Sequence, residues 1–349
     1  MDRIRVAVIV GGRSTEHAIS CISGRSIVAA LDPARYDVSV IGITRDGRWV
    51  RDADGGLGIV VDNGPLPEVS AMAASVDLES SLDVDVVFPV LHGPWGEDGT
   101  VQGLLETLGV PYVGSGVLAS ALSMDKGYMK ATLQSAGIDV GSYVVVTDRQ
   151  WRSDPDAVLS AVRAMGLPVF VKPARAGSSL GISKVATHAD LVTAIEGARK
   201  HDPRLIIEAS VEGAREIECG VLVDADGIPS ASRCAEIIVN ARHEFYDFEA
   251  KYLDDSATLV VPADLPANVE ARVQRVAVAA FDALGCEGLA RVDFFLGADG
   301  RLILNEANTM PGFTSISMFP RMWGVTEVDY PALVDRLVAD ALRRGTGLR

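Results

Sequence analysis

The sequence predicts an α/β protein built from several subdomains, and three observations support this prediction. Its 349 residues are too many for one ordinary hydrophobic core. Short apolar, β-branched runs at residues 5–10 (RVAVIV) and 84–91 (VDVVFPVL) alternate with helical patterns, as in a buried parallel sheet. After about Val113 the pattern adds a hairpin and a long polar loop, so we expect α+β character in the later part.

Composition and charge restrict the partners of this chain. Apolar residues make up 48% of it and charged residues 23%, which is typical of a folded globular protein. The net charge of −15 repels nucleic-acid phosphates and anionic lipid, and no basic run is present. No apolar run approaches the ~18 residues of a membrane span. We therefore expect neither a nucleic-acid partner nor a membrane partner.

The cysteines and the N-terminus indicate a cytoplasmic protein. Four cysteines lie far apart and form no CxxC pair, which argues against a zinc site or a disulfide framework. The first apolar run is too short for a secretory signal and leads into polar residues. We expect reduced thiols in the core at Cys21, Cys219, Cys234 and Cys286.

The first predicted unit covers residues 1–114. Its opening strand leads into a helix at residues 19–31, and the strand at 84–91 leads into a second helix, TVQGLLETLG, with Asp98 as the expected N-cap. The turn after the first strand, GGRSTE, does not match GxGxxG, and no acid closes a second strand about twenty residues later. A dinucleotide-binding domain is therefore disfavoured.

Two further units complete the chain. The unit at residues 115–211 opens with one helix through ALSMDKGYMKATLQSAG that ends at Gly137, and continues with the strands PVFVKP, ISKV and RLIIEA. The unit at residues 212–349 contains the strand EIECGVLVD, a polar loop at 241–253 and a helix at 267–284. A hairpin and a closing amphipathic helix, YPALVDRLVADALRR, follow.

The hairpin ARVDFFLGADGRLILNEAN carries the densest polar pattern. If Asp299-Gly300 forms a two-residue turn, Asp293 lies opposite Glu306 and Arg291 lies opposite Asn308. Side chains alternate along a strand, so all four polar groups share one face. Two facing carboxylates destabilise a sheet unless a cation lies between them, and carboxylate and amide oxygens suit Mg²⁺. The alternative is a solvated face on which Arg291 pairs with an acid.

Other polar residues could form the complementary half of a nucleotide site. The loop VKPARAGSSLG follows Lys172 and offers backbone N–H groups and hydroxyls to phosphates, although an ordinary flexible turn has the same composition. It is not a P-loop, because the lysine precedes the glycines. Glu208 and Glu216 flank a strand crossover, where surface charges are also common. Lys126 lies in a helical pattern, where a solvated lysine is the ordinary expectation.

Taken together, these motifs resemble the ATP-grasp fold and, within it, the D-alanine–D-alanine ligases. The matching segments occur in that family's order over essentially the whole chain: HGPWGEDG, SALSMDK, VKPARAGSSLGISKV, YDFEAKY, ARVDFF and NEANTMPGFTSIS. The resemblance implies a parallel-sheet domain followed by a two-part ATP-grasp fold. It also implies ATP-dependent ligation of two D-alanine molecules through an acyl phosphate, for peptidoglycan precursor synthesis.

The resemblance implies a nucleotide site and a metal site. The residues expected at ATP are Lys126, Phe170, Lys172, Ser179, Glu208, Ala209, Val211, Glu216, Lys251 and Phe295. Among them, the lysines are expected at the phosphates and the two glutamates at the adenine hinge and ribose. Two Mg²⁺ ions, or Mn²⁺ in their place, are expected at Asp293, Glu306 and Asn308. A monovalent cation such as K⁺ is a further cofactor that the family suggests.

The resemblance also implies roles at the substrates. Glu16 is similar to the glutamate that binds the ammonium of the first D-alanine, and His92 to a residue near that substrate. Ser317 resembles the serine that binds the carboxylate of the second D-alanine. The expected oxyanion donors are Arg291 and the backbone N–H of Gly312. Ser178 and Tyr252 resemble a pair that, with Glu16, holds a mobile loop over the site.

The sequence departs from the family pattern in places and is compatible with other activities. Residues 241–253 are the expected lid, in which Phe248 replaces a tyrosine that is usual in the family. Residues 45–81 carry no readable motif. A D-alanine–D-lactate or D-alanine–D-serine ligase is the near alternative, against which Tyr252 argues, and a non-catalytic ATP-binding module is the distant one. The family also suggests a homodimer.

Overall fold

The computed structural model describes residues 3–51, 66–70, 73–177, 180–239, 257–314, 316–347 and 349. Three separate sheets organise this part of the chain. They fall in turn within the predicted units 1–114, 115–211 and 212–349, whose boundaries remain a prediction. The predicted fold class is confirmed, since a largely parallel sheet comes first and antiparallel sheets follow.

The first sheet has five strands in the order β4-β3-β2-β1-β5. β1 pairs in parallel with both β2 and β5, whereas β3 and β4 add antiparallel strands at one edge. Successive residues of β1 face two different apolar clusters, which explains why that strand is apolar throughout. The elements are β1 (Ile4–Gly11), α1 (His17–Ala30), β2 (Tyr36–Ile43), β3 (Trp49–Arg51), β4 (Ala74–Ser75), α2 (Leu78–Ser81), β5 (Val86–Pro89) and α3 (Thr100–Leu108).

The second sheet is antiparallel, in the order β6-β9-β7-β8. Its apolar face packs with α7 and α8 into a core of its own. The elements are α4 (Val117–Met124), α5 (Lys126–Ser135), β6 (Tyr143–Thr147), α6 (Asp148–Ser153), α7 (Pro155–Met165), β7 (Val169–Pro173), β8 (Ser183–Val185), α8 (Leu191–Arg199) and β9 (Arg204–Ala209).

The third sheet is also antiparallel, in the order β12-β11-β10-β13-β14. Helices α5 and α9 cover the apolar face of its central strands. The elements are β10 (Arg215–Val223), β11 (Pro229–Val239), β12 (Ala257–Val260), α9 (Ala267–Ala283), β13 (Leu289–Leu296), β14 (Leu302–Asn308), α10 (Met318–Gly324) and α11 (Tyr330–Arg344).

The closing helix α11 returns to the first sheet. Its buried residues Leu333, Val334 and Leu337 belong to the same apolar cluster as Val6 and Val8 of β1. Within the part of the chain that the structure describes, no helix is long and apolar enough to cross a membrane. All four cysteines are buried, as expected, and none of them forms a disulfide.

Two helix predictions need correction. The single helix expected through ALSMDKGYMK is two helices, because the extended backbone of Asp125 ends α4 and its carboxylate caps α5, accepting N–H bonds from Gly127 and Tyr128 at 3.0 and 3.2 Å. Asp98 is not the N-cap of α3; Gly99 is, in a left-handed conformation. Asp98 still accepts a hydrogen bond from the backbone N–H of Thr100 at 3.0 Å.

The hairpin of β13 and β14 confirms the predicted pairing but not the predicted turn. The loop holds three residues, 298–300, rather than two. Asn305 is an extra residue on β14, a β-bulge that offsets the longer loop. The register beyond the bulge is therefore as predicted, with these pairs: Arg291 opposite Asn308 and Asp293 opposite Glu306.

Candidate active site

One cavity of about 690 Å³ lies between the three sheets. Every predicted site residue that the structure describes lines it: Glu16, His92, Lys126, Phe170, Lys172, Glu208, Ala209, Val211, Glu216, Arg291, Asp293, Phe295, Glu306, Asn308, Gly312 and Ser317. The predicted residues Ser178, Ser179, Lys251 and Tyr252 lie outside the described residues, as do Phe248 and the lid at 241–253. Their roles stay predictions.

The hairpin face is a network of partly buried, paired charges rather than a solvated surface. Arg291 forms a two-pronged ion pair with Asp293, with Nε at 2.8 Å from Oδ1 and Nη2 at 2.7 Å from Oδ2. Its Nε also lies 3.2 Å from Oε1 of Glu218, and its side chain is only 17% exposed. Burial alone would lower the pKa of Arg291, but these carboxylates raise it well above its ordinary value.

The donors at the end of the hairpin fit a magnesium ion. Asp293 and Glu306 offer carboxylate oxygens, and Asn308 offers an amide whose nitrogen now donates to Asp293 at 3.1 Å. Mg²⁺ takes few protein ligands and completes its shell with phosphate oxygens and water. No cluster of three His, Cys, Asp or Glu suited to a metal occurs among the described residues. The predicted set does not require one, because its third donor is an amide.

Two predicted lysines reach the cavity from different elements. Lys126, the first residue of α5, donates from Nζ to the carbonyl of Ala176 at 2.9 Å and lies 3.6 Å from Oε2 of Glu306. Its side chain is only 12% exposed, so the expectation of a solvated lysine was wrong. Lys172, on β7, forms an ion pair with Glu208 of the neighbouring strand at 2.7 Å. Both lysines therefore line the cavity, each held by a neighbouring carboxylate.

A third lysine, Lys130, was missed by the sequence analysis. It lies one turn after Lys126 on α5 and is 1% exposed. Its Nζ lies 2.7 Å from Oε1 of Glu208, whose other oxygen pairs with Lys172. Burial alone would raise the pKa of Glu208, but the two ammonium groups lower it below its ordinary value. The only sequence signal was the four-residue spacing from Lys126, which does not reveal burial.

The part of the cavity where adenine is expected is lined by residues of the second and third sheets. β9 ends at Ala209, and the chain continues past the strand to Val211, which also lines the cavity. Phe170 of β7 lies beside Glu208 in the second sheet. Glu216 lies opposite Phe295 in the third. Phe170 and Phe295 therefore bring aromatic side chains from two sheets to this part of the cavity.

The first sheet contributes an acid and a histidine. Glu16, just before α1, is 8% exposed, and Gly177 approaches it so closely that an added Cβ would lie 2.6 Å from Oε2. His92 follows β5; its Nδ1 hydrogen-bonds to the carbonyl of Met310 at 2.9 Å. Burial lowers the pKa of His92, although the charge of Glu16 acts in the other direction. The imidazole is therefore neutral near pH 7.

A second acid, Glu97, was also missed. Its two oxygens accept hydrogen bonds from the backbone N–H groups of Gly93 at 2.8 Å and Met310 at 3.2 Å. It thereby connects the loop after β5 to the loop after β14. Burial, and then the charge of Glu16, raise the pKa of Glu97 to about 8. The sequence showed it only as one letter of GEDG.

The loop after β14 presents Gly312 and Ser317 to the cavity. Ser317 Oγ lies 2.8 Å from the hydroxyl of Thr314 and accepts a hydrogen bond from the Thr314 backbone N–H at 3.1 Å. An added Cβ on Gly312 would lie 3.2 Å from that same Oγ. The hydroxyl of Ser317 and the backbone of Gly312 therefore lie side by side at the cavity wall.

Family models match both parts of the chain. The model described as "D-ala D-ala ligase N-terminus" matches residues 5–115, and that described as "D-ala D-ala ligase C-terminus" matches residues 132–339. The D-alanine–D-alanine ligase of Streptomyces coelicolor is 53% identical, over 99% of this chain and 95% of the relative. That of Mycobacterium sp. (strain KMS) is 52% identical over 100% and 99%.

Solved structures agree with these matches. The D-alanine–D-alanine ligase of Coxiella burnetii has a TM-score of 0.81 and 34% identity, covering 99% of this chain and 95% of its own. The VanG D-Ala:D-Ser ligase of Enterococcus faecalis has the same TM-score and identity, covering 97% and 100%.

The fold and the site together define a ligase of the ATP-grasp class. Three sheets enclose one cavity, in which lysines face a hairpin of carboxylate and amide donors. With family models that match most of its length and full-length relatives above 50% identity, the chain belongs to the D-alanine–D-alanine ligase family.

Proposed function

We propose that this chain joins two molecules of D-alanine into D-alanyl-D-alanine, with conversion of ATP to ADP and phosphate, for peptidoglycan precursor synthesis. One observation carries the proposal: a single cavity brings together buried lysines, a metal-donor hairpin and two groups suited to amino-acid ends. Those two groups are the carboxylate of Glu16 and the hydroxyl of Ser317.

The nucleotide would bind between the second and third sheets. In this proposal Lys126 and Lys172 contact the phosphates, the backbone at Ala209 and Val211 contacts adenine, and Glu216 contacts ribose. Asp293, Glu306 and Asn308 would hold two Mg²⁺ ions. When bound, Mg²⁺ neutralises phosphate charge and so favours transfer of the γ-phosphoryl group. The work of this chain is to position the phosphates and to exclude water.

The amino acids would bind between the first and third sheets. Glu16 holds the ammonium of the first D-alanine. The carboxylate of that D-alanine takes the γ-phosphoryl group from ATP, which gives D-alanyl phosphate and ADP. The amine of the second D-alanine, oriented by Ser317, attacks the acyl carbon. The C–O bond to phosphate then breaks, phosphate leaves, and the amine loses a proton.

Arg291 and the Gly312 backbone N–H would stabilise the oxyanion that forms during this attack. Arg291 stays charged at every relevant pH, because its pKa is raised by its carboxylate neighbours. A preorganised donor of this kind typically contributes about 3 kcal/mol to transition-state stabilisation. His92, neutral and buried, would orient the loop at Met310 through its hydrogen bond.

Finer parts of the proposal rest on family resemblance. They are the substitution of Mn²⁺ for Mg²⁺, activation by a monovalent cation such as K⁺, a homodimer, a cytoplasmic location and closure of residues 241–253 over the site with Ser178, Lys251 and Tyr252. The division into units 1–114, 115–211 and 212–349 belongs to the same proposal.

A second acceptor deserves a direct test, because the VanG D-Ala:D-Ser ligase matches the fold with the same TM-score as the D-alanine–D-alanine ligase of Coxiella burnetii. We would measure ADP release with Mg-ATP and D-alanine, and identify products when D-serine or D-lactate is added between pH 6 and 9. D-Ala-D-Ala as the dominant product supports the proposal. A dominant mixed product would favour the other acceptor, and absence of turnover in every mixture would contradict a ligase.

A further inference from the structure

Lys130, Glu208 and Lys172 form a triad in the wall of the cavity. Both lysines lie 2.7 Å from Glu208, each on a different carboxylate oxygen. The side chains of Lys130 and Glu208 are 2% and 7% exposed, whereas that of Lys172 is 13% exposed. Lys130 is therefore the inner member of the triad and Lys172 the outer one.

We propose that Lys130 is a positioning residue. By compensating the charge of Glu208, it leaves the positive charge of Lys172 available to the phosphates of the nucleotide. This inference rests on the proposed function, since it assigns a further residue to the same nucleotide site. Without Lys130, the pair of Lys172 and Glu208 would be neutral. With Lys130 present, the triad carries a net charge of about +1, because Lys130 compensates Glu208 at the oxygen that Lys172 does not contact.

The surroundings make this charge balance important. Glu216 and Glu306 also line the cavity, and their negative charges act on Lys172. A nucleotide adds further negative charge in the same space. A neutral pair at Lys172 would leave the cavity wall acidic where phosphates have to bind, and the buried carboxylate of Glu208 would compete with phosphate for the single ammonium group.

The alternative is that Lys130 only compensates a buried acid and supports the fold. The two roles differ in which ligand they affect. A lysine that supports only the fold influences adenosine and ADP alike, because both share the base and ribose. A lysine that maintains positive charge at Lys172 influences ADP alone.

The test compares ADP with adenosine as probes, by calorimetric titration at constant Mg²⁺ and ionic strength. For Lys130→Met, which keeps an unbranched side chain, we expect the preference for ADP over adenosine to fall roughly 10- to 100-fold. The double variant Lys130→Met/Glu208→Gln leaves Lys172 as the one charge of the triad. Its preference should return to within about threefold of the wild-type value, because the net charge is again +1.

Three outcomes would overturn the inference: equal losses for both probes, no recovery in the double variant, or a preference in the double variant equal to that of Glu208→Gln alone. If Lys130→Met does not fold, the inference is still tested by comparing the double variant with Glu208→Gln. Both of these variants lack the buried charge of Glu208. Failure of the wild-type protein to bind ADP would overturn the proposed function itself. The two failures are therefore distinguishable.

Discussion

Arg291 shows how the site residues hold one another in place. It is bound on two sides by Asp293 and Glu218, and its guanidinium plane is fixed by the two-pronged contact with Asp293. A donor held this firmly costs little reorganisation when an oxyanion forms. The same contacts mean that removal of Arg291 leaves two buried carboxylates without their shared cation.

For Arg291→Ala we expect kcat to fall roughly 100- to 1000-fold while ATP affinity stays near normal. We also expect a loss of about 3–5 kcal/mol in the free energy of unfolding, since a buried ion pair is broken on one side. Arg291→Lys is the control: it keeps a charge and should recover most of the stability but not the rate. Steady-state kinetics and urea titration measure both effects, and a large loss of ATP affinity would place Arg291 at the nucleotide instead.

Glu97 predicts a pH effect on stability. Its pKa is raised to about 8 in the folded protein, above that of an unfolded glutamate, so the folded state binds the proton more tightly. The stabilisation is complete below the unfolded pKa and is lost as pH rises through about 8. Glu97→Gln cannot ionise. The Tm of this variant should therefore rise relative to wild type between pH 5 and pH 8.

The slope of that Tm difference is the measurement, because a constant offset reflects only the changed hydrogen bonds to Gly93 and Met310. A matched control is Glu79→Gln, at an exposed acid of α2. Its Tm difference should stay flat over the same range. A flat difference for Glu97→Gln as well would contradict the raised pKa.

At the scale of elements, the hairpin of β13 and β14 shows what a sequence can and cannot predict. The alternation of side chains along each strand and the pairing of the two strands predicted the positions of the polar side chains correctly. Charged groups on otherwise apolar strands have to lie on the face that borders the cavity. The turn was wrong, and the register was right only because the bulge at Asn305 offsets the longer loop. A bulge has no distinct sequence signal when its residue is an ordinary polar one.

Lys130 and Glu97 show which site residues the sequence does not reveal. Lys126 and Lys172 were identified because their motifs resemble a family, whereas Lys130 lies outside the matching segments and Glu97 lies within HGPWGEDG without an assigned role. Lys130 is distinguished by burial next to the opposite charge of Glu208, and Glu97 by burial near the like charge of Glu16. Burial depends on how the sheets pack. Residue type and spacing alone do not contain that information.

The break between α4 and α5 predicts a capping effect. Asp125 caps α5 and also pairs with Arg204, with Nε of the arginine at 2.9 Å. Asp125→Asn keeps a good N-cap but loses the charge, whereas Asp125→Ala loses both. The alanine variant should be less stable than the asparagine variant by about 1 kcal/mol. Because Lys126 begins the capped helix, the alanine variant should also bind ADP more weakly.

Urea unfolding and ADP titration of the two variants separate these contributions. Asp154→Ala, which removes the N-cap of the distant α7, is the control for capping without an effect at the nucleotide. Equal ADP affinity in both Asp125 variants would show that the start of α5 does not position Lys126.

At the scale of the whole molecule, the first and last parts of the chain share one core. Helix α11 packs on the first sheet, and Asp335 of this helix accepts a hydrogen bond from Tyr36 of β2 at 2.6 Å. The sheet that supplies Glu16 is thereby attached to the segment that follows Ser317. Glu16 and Ser317, which are proposed to bind the two amino acids, keep a fixed separation because this core is closely packed.

This shared core predicts that a change far from the cavity affects the whole protein. Leu337 of α11 is 1% exposed and belongs to the cluster that contains Val6 and Val8. For Leu337→Ala we expect the free energy of unfolding to fall by about 2–5 kcal/mol, because a cavity opens between α11 and the sheet. Arg336→Ala, at the adjacent exposed position, should change it by less than about 0.5 kcal/mol. Urea unfolding followed by far-UV circular dichroism measures both, and ADP release with D-alanine below the transition should be preserved in each. A small loss for Leu337→Ala would mean that α11 is not part of the core on which the first sheet depends.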